Sequence, residues 1–423
     1  VSGGGAFVLV YLVCVVFVAI PILIGELWIG RRGHHSPPLA MRDVATGAGR
    51  SPSWSIVGWM GLVVGYLIAT YYSVIAGWTL AYIVKAASGF GGADPTAVTQ
   101  QFDALLADPA TMAIWHTVFI IAAIFIVSRG LHGGIETAVK FLMPALFVML
   151  LVMIGYGAVA GDFGAAVDFL FSSDFSKIDG TAVLSAIGQA FFSIGVAMGL
   201  MMAYGAYVPK QVSLTKSALI IAGADTLVAL LAGLMIFPLV FANGLDPASG
   251  PGLIFRTLPT AFAGMSGGAV FGALFFLLLA FAAVTSIIAI IEPIVAYAED
   301  KWGMRRRSAS ILCGAVAWAI GLATVFSFNI WAHLRPLGAF DTFADVNIYG
   351  LIDFFTANLL MPLSGILIAV FVGWRIKPVV LADELLFGSP LLFNVWLWML
   401  RVVAPVAILG ILWSSLVTGQ GGG

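Results

Sequence analysis

The chain has 423 residues, of which 61% are hydrophobic and 9% are charged, and its mean hydropathy is +1.08. Soluble domains carry about a quarter charged residues, so this composition excludes a soluble globular protein and indicates a polytopic membrane protein. The formal net charge of −1 excludes a nucleic-acid-binding class, which needs a strongly basic face.

Apolar stretches of about 20 residues predict ten membrane-spanning helices. In chain order they cover roughly residues 5–30, 55–86, 112–128, 138–160, 183–208, 215–242, 267–298, 308–328, 350–374 and 393–416. Several stretches are longer than a bilayer requires, so we expect tilted, kinked or extended helices. Cys14 and Cys313 lie in separate apolar stretches, and the pattern implies neither a disulfide nor a metal site.

Basic residues set the expected orientation. Fourteen of the 19 Lys and Arg residues lie in or beside every second loop, whereas acidic residues are concentrated in the loops between. The positive-inside rule then predicts a multi-pass protein of the plasma (inner) membrane with these loops in the cytoplasm: 31–53, 129–137, 209–214, 299–307 and 375–392. Val1 would lie outside, so we expect at least one further span before it. We expect residues 1–423 to form a single transmembrane domain.

The span at 183–208 contains glycines and polar residues in its middle. Gly195 and Gly199 follow Ser193 in the stretch GQAFFSIGVAMG. Such an interruption requires a cavity, an ion or a neighbouring helix to satisfy the backbone, so we expect a helix that can break there. The alternative interpretation is a small-xxx-small packing face, a common feature of membrane helices.

Four carboxylates lie within predicted spans, where a charge costs at least about 2.5 kcal/mol. We expect Glu26 to pair with Arg31, one turn away at the cytoplasmic end. Glu292 precedes a proline, and it either has a functional role or satisfies the backbone of a broken helix. Asp353 lies near the outer end of its span. The fourth carboxylate is Asp225, considered next.

Asp225 has no basic residue within two helical turns, Lys216 being the nearest lysine. A bound cation would neutralise it. Further oxygen donors occur in unrelated spans, namely Ser193 and the adjacent Thr285 and Ser286, although such hydroxyls more often bond to their own helix. Oxygen ligands favour a small hard cation, whereas transition metals prefer thiolates and imidazoles.

Six stretches together carry a family resemblance: GGGAFVLVYLVCVVFVAIPILIGELWIG, YYSVIAGWTL, GGIETAVKFLMP, GQAFFSIGVAMG, ADTLVALLAG and AFAAVTSIIAIIEPIVAYAED. The sequence resembles the neurotransmitter:sodium symporter family, in particular prokaryotic amino-acid transporters of the bacterial leucine transporter type, over essentially its whole length. The resemblance implies an all-α fold of two inverted five-helix repeats with a mid-membrane substrate site. The ten spans would be family helices two to eleven, and the first helix would be missing.

The resemblance implies two sodium sites. The first is formed by the Ser193 hydroxyl and the Asp225 side chain, at a position where the family commonly has Asn. Ala229 occupies the position of a hydroxyl that helps hold the anion in chloride-dependent members. Because Asp225 could supply that negative charge itself, we expect chloride independence. The second site is implied at the Ala282 carbonyl and the Thr285 and Ser286 hydroxyls.

The resemblance places a substrate pocket beside the first sodium site, with Tyr72 bonding the substrate carboxylate. The other implied lining residues are Ile68, Phe192, Ser193, Gly195, Met198, Ser286 and Ile290. Gly195 leaves space and Met198 is flexible, so we expect a hydrophobic or aromatic amino acid. The alternative interpretation of Met198 is core packing.

The resemblance also implies two gates. Phe192 and Tyr72 would form a lid towards the outside, with Asp353 as the acidic half of the outer gate. Tyr207 and Asp300 map to the inner gate. Without the resemblance, Asp300 beside Lys301 would be interpreted as a solvated loop charge.

The sequence therefore predicts a sodium-coupled amino-acid symporter that works by alternating access. Two alternatives stay open: a proton-coupled transporter of the same fold, with Asp225 or Glu292 titrating, and a non-transporting binding protein. An enzyme is disfavoured. The match to G-x-S-x-G at residues 264–268 lacks the strand-turn-helix setting of that motif, and the five histidines form no metal-ligand pattern.

Overall fold

The computed structural model describes residues 4–91, 94–245, 252–385 and 387–418. Within these ranges the chain is helical, apart from turns, the long connection at 328–347 and one isolated β-bridge between Gly4 and Ser173. In chain order the helices are α1 (Gly5–Gly33), α2 (Pro37–Gly47), α3 (Ser55–Ala87), α4 (Pro95–Ala107), α5 (Pro109–Val127), α6 (Leu131–Ala160), α7 (Phe163–Phe171), α8 (Gly180–Ile194), α9 (Leu200–Gly205), α10 (Leu214–Ala242), α11 (Leu258–Gly264), α12 (Gly268–Trp302), α13 (Arg306–Ser327), α14 (Ile348–Arg375), α15 (Pro378–Leu385) and α16 (Pro390–Ser415).

The predicted spans are confirmed in position. Nine helices of the described ranges are long and apolar enough to cross a membrane, namely α1, α3, α5, α6, α10, α12, α13, α14 and α16. The one remaining predicted span, 183–208, is present as the two short helices α8 and α9 with an irregular segment between them. The expected break is therefore confirmed.

Helices α3 and α12 form the centre of the bundle. They pack along each other over most of their length, with α5 and α13 beside them and α2 against the start of α3. Helix α3 is the most buried of the spans, whereas α6 and α10 expose most of their apolar side chains, as lipid-facing helices do.

The predicted cytoplasmic loops gather at one end of the bundle, hereafter the inner end. Arg31, at the end of α1, donates from Nε to Glu384 Oε1 at 3.0 Å and from Nη1 to the Val212 carbonyl at 2.7 Å. The Ser36 N–H donates to Asp300 Oδ2 at 2.7 Å. These contacts join four loops whose lysines and arginines predicted a common side.

The expected pair between Glu26 and Arg31 is wrong. Arg31 is 2% exposed and is held by Glu384 of α15, which approaches it from a distant part of the chain. Arg31 has its Nε and both terminal nitrogens bonded elsewhere, so it is not the partner of Glu26. Glu26 instead bonds to the broken helix.

Candidate functional site

Asp225 lies at the meeting point of three helices. Its Oδ2 accepts hydrogen bonds from the Ser193 hydroxyl of α8 at 2.6 Å and from the Tyr11 hydroxyl of α1 at 3.2 Å. The side chain is half-buried, and among the described residues no Lys or Arg forms an ion pair with it. The structure thus brings Ser193 and Asp225 together, as the implied first sodium site requires.

Tyr11 is a site residue that sequence reasoning missed. It is 8% exposed and lies on a stretch, FVLVYLVC, whose apolar character is typical of any membrane helix. The signal in the sequence that could have identified Tyr11 was its hydroxyl, which lies within an otherwise aliphatic turn. Only the packing of α1 against α8 and α10 places that hydroxyl beside a carboxylate 214 residues away.

The segment between α8 and α9 is held in an unusual backbone conformation. Gly195 and Gly199 adopt left-handed conformations with φ of 73° and 75°, and so does the non-glycine residue Ala197, with φ of 66°. A left-handed conformation is costly for alanine, so it persists only where the surroundings impose it.

Glu26 of α1 helps to hold Ala197 in this conformation. Its side chain is completely buried, and Oε1 accepts the Ala197 N–H at 2.8 Å. No hydrogen-bond partner is found within the described part of the chain for the other oxygen, Oε2. Glu26 therefore satisfies the backbone of the broken segment across two helices, a role for which sequence reasoning had no signal beyond the buried carboxylate itself.

Two glycines of α3 form the other wall of the broken segment. A Cβ atom on Gly61 would lie 2.8 Å from the Gly199 nitrogen, and one on Gly65 would lie 2.9 Å from the Met198 carbonyl oxygen. Real Cβ atoms essentially never come that close to backbone atoms. Because these two glycines have no side chain, the irregular backbone can pack directly against α3.

Helix α8 begins at a polar cap outside the membrane-spanning part of the chain. Asp179 accepts hydrogen bonds from the Thr181 hydroxyl at 2.6 Å and from the Ala182 N–H at 2.8 Å. These two bonds hold the pKa of Asp179 below its ordinary value. The capping contribution to stability is therefore complete above the ordinary carboxyl pKa and is lost as the pH falls through the lowered one.

The residues of the implied second sodium site are adjacent on α12. The Thr285 hydroxyl donates to the Ala282 carbonyl at 2.8 Å, so two of the three expected ligands contact each other. The Ser286 hydroxyl lies near that of Tyr72 on α3. A residue expected in the sodium site is therefore close to one expected to bind the substrate carboxylate.

The expected pocket residues fall into two groups. Ile68, Met198 and Ile290 are 1%, 3% and 8% exposed, whereas Phe192 is 41% exposed. Phe192 and Asp353 line one cavity of about 240 Å³ between α8, α14 and α16. The structure thus brings two expected outer-gate residues together, and it buries Ile68, Met198 and Ile290 in the bundle.

Asp353 has a neighbour that the sequence did not suggest. Its carboxylate lies near the Tyr71 hydroxyl of α3, which forms no hydrogen bond with any described residue. Tyr71 is 4% exposed and immediately precedes Tyr72. Successive residues of α3 therefore lie near the expected outer-gate acid and the serine of the implied second sodium site.

At the inner end, Tyr207 donates to Glu292 Oε1 at 3.0 Å. Glu292 is completely buried and forms a two-pronged ion pair with Arg306, which also binds Glu299 at 2.8 Å. Glu292 is thus a structural ion-pair partner, and it does not serve a broken backbone of α12. Asp300 does not contact Tyr207 directly, but both line a cavity of about 70 Å³.

The donor chemistry of the site is oxygen-based. Within the described ranges no three His, Cys, Asp or Glu side chains form a group that could hold a metal ion. The groups assembled around Asp225 and Thr285 are carboxylate, hydroxyl and carbonyl oxygens, which are the ligands that hard cations prefer.

Residues 1–90 and 100–421 match the sodium:neurotransmitter symporter family. The chain belongs to that family. It is consequently a transporter and not an enzyme, and it is a multi-pass membrane protein. The resemblance inferred from the six sequence stretches is confirmed.

Curated relatives and a solved structure agree with this assignment. The chain is 32% identical over 412 residues to the uncharacterized sodium-dependent transporter YhdH of Bacillus subtilis, covering 96% of this chain and 89% of YhdH. It is 31% identical over 424 residues to an uncharacterized sodium-dependent transporter of Haemophilus influenzae, covering 98% and 91% of the two chains.

The solved structure is a crystal structure of MhsT in complex with L-phenylalanine. It matches with a TM-score of 0.88 at 36% identity, covering 98% of this chain and 92% of the MhsT chain. The predicted fold class, the leucine-transporter-like inverted repeat of helices, is confirmed by this likeness.

Proposed function

We propose that the protein is a chloride-independent, sodium-coupled symporter of hydrophobic or aromatic amino acids in the plasma membrane. The single observation that carries the proposal is the Asp225 carboxylate, which lies within a membrane helix and is bonded only to the hydroxyls of Ser193 and Tyr11 among the described residues. A carboxylate without a basic partner at this depth favours a bound cation.

Asp225 would act as an ionised sodium ligand. A sodium ion beside the carboxylate favours its charged form and offsets the cost of burying that charge. Ser193 would add a neutral oxygen to the same ion. Because Ala229 offers no hydroxyl one turn further along α10, the fixed charge of Asp225 replaces a bound chloride.

A second sodium ion would bind on α12. The Ala282 carbonyl and the hydroxyls of Thr285 and Ser286 lie within one turn of that helix. Ser286 also lies near Tyr72, the proposed ligand of the substrate carboxylate. Occupation of the ion site would therefore orient a group that contacts the amino acid, which couples ion binding to substrate binding.

The substrate side chain would enter an apolar pocket beside the broken helix. Ile68, Met198 and Ile290 are almost completely buried and present no polar group. Support also comes from MhsT, which was crystallised with L-phenylalanine and has 36% sequence identity. A hydrophobic or aromatic amino acid is the substrate class that these walls fit.

Alternating access would use the two ends of the bundle. Phe192, Tyr72 and Asp353 would close the outer side, and Tyr207 with Asp300 would close the inner side. The break at Gly195–Gly199 would let α8 and α9 move separately while the ions and the substrate stay at the same depth. Residues 1–423 would act as one transmembrane transport domain.

The test measures radiolabelled phenylalanine uptake by the protein, expressed from its complete gene and reconstituted into proteoliposomes. We expect an inward sodium gradient to drive uptake equally well in chloride and gluconate buffers. Asp225→Ala should abolish sodium-stimulated uptake, whereas Asp345→Ala, at an exposed carboxylate, should leave it unchanged. Undiminished uptake by the Asp225 variant with the same sodium dependence would refute the sodium assignment.

Proton coupling is the second candidate. The ion pair of Glu292 with Arg306 leaves Asp225 as the titrating group that this candidate requires. An imposed pH gradient without sodium should drive no uptake if sodium is the coupling ion. Saturable binding with no flux under either gradient would instead indicate a binding protein.

A further inference from the structure

His35 lies between two carboxylates at the inner end. Its Nε2 is 3.9 Å from Asp43 Oδ2, and its Nδ1 is 3.8 Å from Asp300 Oδ2. The imidazole is half-exposed, in the turn that connects α1 to α2. Each ring nitrogen therefore faces an acid, one on α2 and the other on α12.

This turn lines the cavity at the inner end of the bundle, hereafter the inner mouth. The Ser36 N–H already donates to Asp300 at 2.7 Å, which docks the turn against the end of α12. The cavity of about 70 Å³ lies between this turn, the segment from Ala203 to Tyr207 and the end of α12. A movement that separates the turn from α12 would open this cavity to the cytoplasm.

Most of the other charged groups around His35 pair with one another. Arg42 donates to Asp43 at 3.0 Å, on the carboxylate oxygen that His35 does not approach. Arg306 binds Glu292 and Glu299, Lys301 is exposed beside Asp300, and His34 and Tyr207 are among the residues that line the cavity. Among the described residues, His35 is the only basic side chain within 4.0 Å of Asp300.

We propose that protonated His35 clamps the inner mouth shut by bridging Asp43 and Asp300, so that an acidic cytoplasm slows transport. The inference rests on the proposed function, in which Asp300 belongs to the inner gate. A neutral imidazole has one donor and one acceptor nitrogen, so it can satisfy only one of the two acids. The protonated ring has two donors, one for each carboxylate.

Histidine changes charge between about pH 5 and pH 8, so its charge responds to pH changes just below neutrality. Protonation adds attraction on both sides of the turn and therefore favours the closed mouth. Each half-exposed pair is weak, so we expect a decrease in transport rate of about three- to tenfold.

The experiment measures sodium-driven phenylalanine uptake into proteoliposomes that contain the protein expressed from its complete gene. The outside is kept at pH 7.5, the membrane potential is clamped, and the internal pH is set to 7.5 or 5.5. The wild-type rate should fall about three- to tenfold at the lower internal pH. H35Q should be insensitive to internal pH, and H35R should be slow at both values.

Two further variants make the result specific. H132Q removes another exposed imidazole, which contacts Glu136 at the same end, and should keep the wild-type pH response. D43N removes one of the two carboxylates and should weaken the response without touching the imidazole.

An H35Q protein that responds to internal pH like the wild type would overturn the clamp, as would a fully active H35R. A wild-type protein that transports with sodium but ignores internal pH would overturn only this inference. Absence of sodium-driven uptake at internal pH 7.5 would overturn the proposed function itself.

Discussion

The carboxylate of Glu26 accepts the backbone N–H of Ala197 at 2.8 Å and so ties α1 to the broken segment between α8 and α9. This bond stabilises a left-handed alanine next to the proposed substrate pocket. The second carboxylate oxygen is buried without a partner among the described residues. The contact therefore needs an acceptor oxygen at this position and does not require a charge.

Glu26→Ala should weaken phenylalanine binding about tenfold, because it leaves the Ala197 N–H buried without an acceptor, at a cost of about 1–3 kcal/mol. Glu26→Gln keeps an acceptor oxygen and should retain at least about a third of the affinity. Both are measured by equilibrium binding of radiolabelled phenylalanine in detergent. Equal losses in the two variants would show that the charge matters, contrary to this account.

Gly65→Ala should displace the broken segment, because the added Cβ would lie 2.9 Å from the Met198 carbonyl. We expect the KM for phenylalanine to rise about tenfold or more, since the pocket wall itself must move. The control is Gly223→Ala in α10, where a Cβ meets nothing within 4 Å. If both variants transport like the wild type, the close approach of α3 does not shape the pocket.

Glu384→Ala should destabilise the inner end. The side chain binds Arg31, which is 2% exposed, and its loss leaves a buried guanidinium without its carboxylate. Breaking such a pair costs about 3–5 kcal/mol, so the apparent Tm in detergent should fall clearly. Glu136→Ala, which removes an exposed pair with Lys140, should change it little. An equal change in both would contradict the structural role of the Arg31 contact.

Ile290→Ala should enlarge the proposed pocket and shift selectivity towards larger amino acids. The ratio of kcat/KM for tryptophan to that for valine should rise about tenfold, since a methylene or two in an apolar pocket is worth about 1–3 kcal/mol. Ile288→Ala removes the same volume from a core side chain that is 1% exposed and is not a proposed pocket residue. An identical shift in both variants would place Ile290 in the general core.

Much of the architecture could be predicted from local sequence. Apolar runs marked the spans, and Gly195 and Gly199 marked the break, because a bilayer requires satisfied backbone groups wherever it contacts the chain. Asp225 was identified as a candidate because a lone intramembrane carboxylate is costly. The partners of the other carboxylates could not be predicted: Glu26 bonds Ala197 in place of Arg31, and Glu292 bonds Arg306 and Tyr207.

The sequence by itself determined the class of the molecule, its spans, its interrupted helix and its family, because all of these depend on composition and on short local patterns. Tertiary structure alone decided which side chains meet. Tyr11 joins Asp225 across 214 residues, and His35 lies between Asp43 and Asp300. Such contacts depend on how helices cross, and the crossing is set by packing among residues far apart in the chain, which no local pattern specifies.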